Sequence, residues 1–221
     1  MSGTGAVAFF AAAFVLTHLL MSHPLRAPLA SRLGSRGFSA AYSAVALATF
    51  VPMVLARRNV GPETLLWALG DWAWAAASIL MWLGSILFVG SFRRNPAMLQ
   101  MGREPIRIGE PGGVFRITRH PMMWGFAMWA IAHLLVHSEP SAIIVAFAIL
   151  VLAIAGSLGQ DRKKERQLGR EWVTWESRTS FLPFGRGVRW PGAFAVVGGT
   201  VLFLAATWLH PYRVGLWRWL P

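Results

Sequence analysis

Residues 116–137, RITRHPMMWGFAMWAIAHLLVH, set three histidines into one apolar stretch. Arg119-His120-Pro121 opens it, and His133 lies well inside it. A neutral imidazole keeps a lone pair that can ligate iron or take a proton. An ionisable side chain within a membrane segment is costly and points to function by default. His18, in FVLTHLLMSH, is the second such residue. Two imidazoles from different helices of a bundle can clamp a haem between them. Trp124, Phe126 and Trp129, with Trp67, Trp72, Trp74 and Trp82, could supply its aromatic wall. The alternative for His133 is a hydrogen bond to a Ser or Thr of a neighbouring helix. For His18 it is a bond to Thr17 or to the helix end. Arg119 and His120, with Arg116 beside them, form a cationic group at the membrane surface, suited to a phosphate or to a topogenic role.

Spacing constrains these residues further. At 100° per residue His120 and His133 point to different faces, whereas His133 and His137, at i and i+4, share one. Counted from a helix start near Met122, His133 lies about 16 Å deep, while His18 is close to the end of its own apolar run. One iron between them requires tilted helices or a re-entrant start to the fourth span. His23, His137 and His210 fall near span ends, where solvated or interfacial positions are expected.

The elements that carry these residues are set by composition. The chain has 221 residues, 55% hydrophobic and only 14% charged, with a mean hydropathy of +0.49. A soluble domain of this size needs more polar surface. Apolar runs at 5–21, 38–55, 72–92, 122–136, 141–158 and 191–209 approach bilayer-spanning length. They predict an all-α, polytopic membrane helix bundle with about six transmembrane helices, forming a single domain over 1–221. The first run is expected to be a retained helix rather than a cleaved leader, since no Lys or Arg precedes Arg26. Cysteine is absent, which excludes disulfides, thiolate-ligated haem and cysteine metal sites.

All but Arg57, Arg58, Arg213 and Arg218 of the 21 Lys and Arg fall in loops on one side of these spans. The positive-inside rule makes that side cytoplasmic and both termini external, in the inner membrane of a Gram-negative cell. The net charge of +12 reflects this asymmetry and attraction to anionic lipid headgroups. It does not indicate nucleic acid, for which no motif is present. Residues 161–178, DRKKERQLGREWVTWESR, predict one interfacial amphipathic helix, with Leu168, Trp172 and Trp175 on its apolar stripe and Asp161 at its N-terminus.

RHPMMWGFAMWAIAHLL resembles the signature of NnrU-type membrane proteins, which include the 15-cis-zeta-carotene isomerases. THLLMS, ASRLGSRGFSAAYSAVAL, DRKKERQLGREW and RTSFLPF extend the resemblance in order over about 6–184. The resemblance implies a redox-dependent haem b protein with isomerase-type activity on a lipid-soluble molecule. It implies His18 and His133 as the iron ligands, and a link to denitrification or nitric oxide metabolism. The isomerase branch has a cysteine three residues before the second histidine; here that residue is Ala130.

A second resemblance is to the isoprenylcysteine carboxyl methyltransferase and phospholipid methyltransferase group. It rests on Arg119-His120-Pro121, Gly125, Glu165 with LGREW, and Pro183-Phe184. It implies S-adenosylmethionine held by Arg119, His120 and Glu165. Against that pattern, Met123, Trp172 and Trp175 stand where tyrosine is usual. A third reading is a non-catalytic membrane assembly factor, in which the histidines only pack and the basic helix recruits a partner.

Overall fold

The computed structural model describes residues 3–93, 95–96 and 109–220. Among them the elements are α1 (Gly3–Ser22), α2 (Arg26–Arg58), α3 (Asp71–Gly90), α4 (Pro121–Val136), α5 (Pro140–Leu168), α6 (Arg170–Arg178) and α7 (Ala193–Trp208). Short 3-10 turns occupy Gly113–Arg116 and Gly215–Arg218, and no strand occurs among the described residues. Helices α1, α2, α3 and α5 are long and apolar enough to cross a bilayer, and α4 and α7 are apolar helices of 16 residues each. The protein is a multi-pass membrane helix bundle. Arg94, Arg103, Arg107 and the turn expected at Pro105 lie outside the described residues.

Local chemistry fixes the helix ends. Pro121 and Pro140 stand in the first turns of α4 and α5, where a missing N–H costs nothing. Gly34 breaks α2 with φ +69°, a left-handed conformation that favours glycine. Gly169 does the same at φ +53°, and its N–H closes α5 on the Glu165 carbonyl at 2.8 Å. The single helix expected over 161–178 is therefore two. Asp161 belongs to α5, which continues to Leu168, and α6 starts afresh at Arg170.

Each helix packs on its neighbours in the order α2, α1, α5, α4, α3, α7. Lipid tails give no hydrophobic drive between helices, so close approach of small residues matters. A Cβ on Gly125 of α4 would stand 2.9 Å from the Gly84 carbonyl oxygen of α3. One on Gly199 of α7 would stand 2.5 Å from the Cα of Ile86.

Trp172 and Trp175 lie in a buried cluster with Ile86, Leu87, Val114 and Phe115, and Leu168 packs against it. The amphipathic stripe of the Asp161-to-Arg178 region thus faces protein rather than lipid. Trp172 still finds a polar partner, its Nε1 donating to Glu176 at 3.2 Å.

The bundle has two chemically distinct ends. At the basic end the turn after α1, the start of α4 and the charged turns of α5 come together. At the opposite end Glu63, in the α2–α3 loop, accepts bonds from Thr4 of α1 at 3.0 Å and from the N–H and hydroxyl of Ser141 in α5.

Candidate functional site

A cavity of about 290 Å³ lies between α3, α4 and α7. Trp74, Phe88, Phe126, Trp129 and Phe203 make its walls, and His133, His137 and His210 lie together along its lining. Two of the hydroxyls at its surface turn back on their own helices: Ser78 donates to the Trp74 carbonyl at 2.7 Å and Thr207 to that of Phe203 at 2.6 Å. Apart from its imidazoles and the Ser85 hydroxyl the cavity is accordingly apolar. The shared face of His133 and His137 is realised, with their rings stacked at 5.6 Å. His137 and His210 lie just beyond the ends of α4 and α7, near the span ends where they are expected, and there they line the cavity.

His133 is held in one tautomer. Its Nδ1–H donates to the Trp129 carbonyl at 2.8 Å, and its ring stacks on that of Trp129 at 4.0 Å. The carbonyl can only accept, so the proton sits on Nδ1 and the lone pair on Nε2. A backbone acceptor one turn back thus orients the imidazole toward the cavity.

His18 has the same local arrangement in a different place. Its Nδ1–H donates to the Phe14 carbonyl at 2.9 Å. Its ring packs against Phe14 and against Tyr42 of α2. It is absent from the lining of the α3–α4–α7 cavity, and α5 separates α1 from α4 in the packing order. Depth separates the two as well. α4 starts at Pro121, so His133 lies about 18 Å along it and His18 about 6 Å from the end of α1. The structure does not bring His18 and His133 to one iron. Of that pair only His133 lines the cavity. Ala130 is fully buried and contributes no sulfur ligand.

At the basic end Arg119 and His120 form a second constellation, whose partner is Asp161. Arg119 donates through Nε and Nη2 to Asp161 Oδ2 at 2.9 and 2.8 Å, and His120 Nε2–H donates to Oδ1 at 2.8 Å. The next carboxylate is Glu176 of α6, 3.6 Å from Arg119. Glu165, expected beside Arg119 and His120, is exposed and forms no ion pair among the described residues. Backbone bonds complete the clamp: Arg119 N–H to Ser180, and Phe184 N–H to Ile117. Thr118 and Trp124 both donate to the Phe181 carbonyl at 2.7 Å. The arginine and histidine that the methyltransferase resemblance assigns to a cofactor are thus engaged by the chain's own carboxylate. In sequence Asp161 suggests only a favourable negative charge at a helix N-terminus; its separation of 42 residues from Arg119 hides the pairing.

Comparison with known proteins agrees with this architecture. The chain matches the NnrU family, described as NnrU protein, over residues 7–218. It is similar to the chloroplastic 15-cis-zeta-carotene isomerase of Arabidopsis thaliana, 32% identical over 72 residues, which are 33% of this chain and 20% of that protein. It is similar to the Zea mays protein of the same name, 28% identical over 111 residues, 48% of this chain and 30% of that one. The aligned stretches thus cover less than a third of either relative. No solved structure matches.

Proposed function

The chain belongs to the NnrU family, and from that premise we propose an isomerase-like activity on a lipid-soluble, polyene-type molecule held in the α3–α4–α7 cavity. The observation that carries this reading is the fixed tautomer of His133, which leaves Nε2 as the unengaged nitrogen of a side chain lining an otherwise apolar space. The similarity to two 15-cis-zeta-carotene isomerases supports a carotene as the substrate class.

Each part of the cavity has a task in this reading. The aromatic walls bind a long apolar chain and exclude water, as cofactor and ligand pockets commonly do. Entry from the bilayer needs no aqueous step, because α7 leaves Ala206 and Leu202 exposed beside the cavity. His133 is held in place by Trp129, so its Nε2 keeps one orientation while the substrate moves. A haem b, if bound, would be held by His133 and would supply reversible one-electron chemistry. A role in nitric oxide metabolism would use the same haem.

The test is an optical spectrum of detergent-purified protein, with and without dithionite, followed by incubation with 15-cis-zeta-carotene. The expected result is a Soret band and a product of unchanged mass but altered retention. Both are lost in His133→Ala, and the band persists in His18→Ala. Colourless protein that leaves the carotene unchanged under reducing and oxidising conditions sinks the proposal.

A further inference from the structure

At the basic end, the turn after α1 and the start of α2 face the last turns of α5. His23 sits directly on Gly159, where an added Cβ would fall 2.0 Å from the imidazole. Lys163 is one helical turn beyond Gly159, on the same face of α5. Arg26 opens α2 three residues after His23, its guanidinium lying 4.9 Å over the Phe38 ring. Arg26 and Lys164 are close enough to repel the Lys163 ammonium. Burial, then Lys163 and Arg162, hold the His23 imidazole below its usual pKa.

These charges are not arranged as a solvated surface. Lysine and arginine normally extend their heads into water, yet Arg26, Lys163 and Lys164 are each half-buried. None of the three forms an ion pair among the described residues. The Nε2 of His23 is buried with no hydrogen-bond partner. Like charges crowded together without a carboxylate repel one another, and an anion placed among them removes that cost. The group stands where the apolar part of α5 ends: Leu158 is still 46% exposed on the lipid-facing surface, and Gly159, Gln160 and Asp161 follow. That is the level of phospholipid headgroups.

We propose that His23, Arg26, Lys163 and Lys164 form a binding site for a phosphate group, carried by an anionic phospholipid or free in solution. Arg26 offers a planar fork for two phosphate oxygens. The two ammonium groups supply point charges, and His23 Nε2 one further donor when that nitrogen carries a proton.

The experiment uses the full chain in detergent. Native mass spectrometry counts retained lipid during titration with phosphatidylglycerol or phosphatidylcholine. Phosphatidylglycerol is expected to bind about a hundredfold more tightly, from about fivefold for each of the three juxtamembrane cations attracted to an anionic headgroup. The triple variant Arg26→Gln/Lys163→Gln/Lys164→Gln should lose that preference, and Arg57→Gln/Arg58→Gln at the opposite end should keep it. If the triple variant fails to fold, as judged by helical circular dichroism, Lys163→Gln alone should lose about fivefold, in line with one such charge. Competition with inorganic phosphate identifies the source. Displacement of the lipid supports a site that takes free phosphate, and retention supports one that requires the lipid. Equal affinity for the two lipids in the native protein overturns the proposal, as does an undiminished preference in the folded triple variant.

Discussion

His120 Nε2 lies 2.8 Å from Asp161 Oδ1, and the His120 side chain is wholly shielded from solvent. A carboxylate can only accept, so the imidazole donates through Nε2–H. Arg119 takes the other carboxylate oxygen through two N–H groups. One acid of α5 thereby anchors the residues that open α4. Asp161→Asn keeps the shape but removes the charge that both donors face. Breaking a largely buried pair leaves its partner uncompensated, and we expect a loss of about 3 kcal/mol. A lowered thermal midpoint in detergent, with the loss much smaller when Arg119→Gln is also present, would establish the coupling. An unchanged midpoint in Asp161→Asn would show that the pair contributes nothing net.

What was legible in the sequence follows from the range of each signal. The six apolar helices are dictated by composition over consecutive residues. Four form close to the expected limits, while α2 starts twelve residues early at Arg26, with a break at Gly34, and α5 runs ten residues on to Leu168. The shared face of His133 and His137 is a local, i to i+4 property, and it holds. Pairings across the chain leave no such trace. Asp161 reads as a helix-end acid until α5 and α4 are brought side by side. The spacing of Leu168, Trp172 and Trp175 predicts an amphipathic stripe, and one forms, but periodicity cannot say whether an apolar face meets lipid or protein. In sequence His18 and His133 already differ in depth, but each sits in an apolar helix and the two can still be imagined to converge. That α5 lies between α1 and α4 shows only in the packing order.

The second prediction concerns the contact of α7 with α3. Gly199 has Ile86 Cα and N at 2.5 and 2.6 Å from where a Cβ would stand. Backbone cannot yield as a flexible side-chain tip can, so Gly199→Ala must push the helices apart. Overpacking of this kind costs about 2 kcal/mol. Gly61→Ala, with nothing within 4 Å, is the control and should stay within about 0.5 kcal/mol of the native protein. Equal stability of both variants would mean that α7 is not held against α3 as described.

The third concerns acid stability and Glu63. Burial raises the pKa of its carboxyl, but the Ser141 and Thr4 hydrogen bonds and the Arg57 charge outweigh that and hold it below the usual 4.5. A depressed carboxyl pKa means that the unfolded chain binds the proton more readily. The stabilisation is therefore complete above about pH 4.5 and is lost as pH falls through the folded-state value. Glu63→Gln should lower the thermal midpoint at pH 7 and flatten its fall below about pH 4.5, the window in which the native carboxylate takes up its proton. Parallel pH profiles for native protein and variant would refute the link of α1, the α2–α3 loop and α5 through this carboxylate.

The fourth prediction tests whether the α3–α4–α7 cavity is the site of binding. Ala206 lines it and is exposed on α7, so a larger side chain there has room to lie across the opening without displacing core. Ala205 is the neighbouring exposed residue and does not line the cavity. Ala206→Phe should reduce retention and conversion of 15-cis-zeta-carotene about tenfold, because an apolar site loses affinity with the volume it can offer. Ala205→Phe should leave both unchanged. Both variants should remain within about 0.5 kcal/mol of the native stability, as surface substitutions usually do. The comparison separates a bound polyene from one merely dissolved in the detergent micelle, since the two phenylalanines add the same apolar surface and differ only in which side of α7 they occupy. Equal carotene retention in the two variants would place the substrate elsewhere on the bundle.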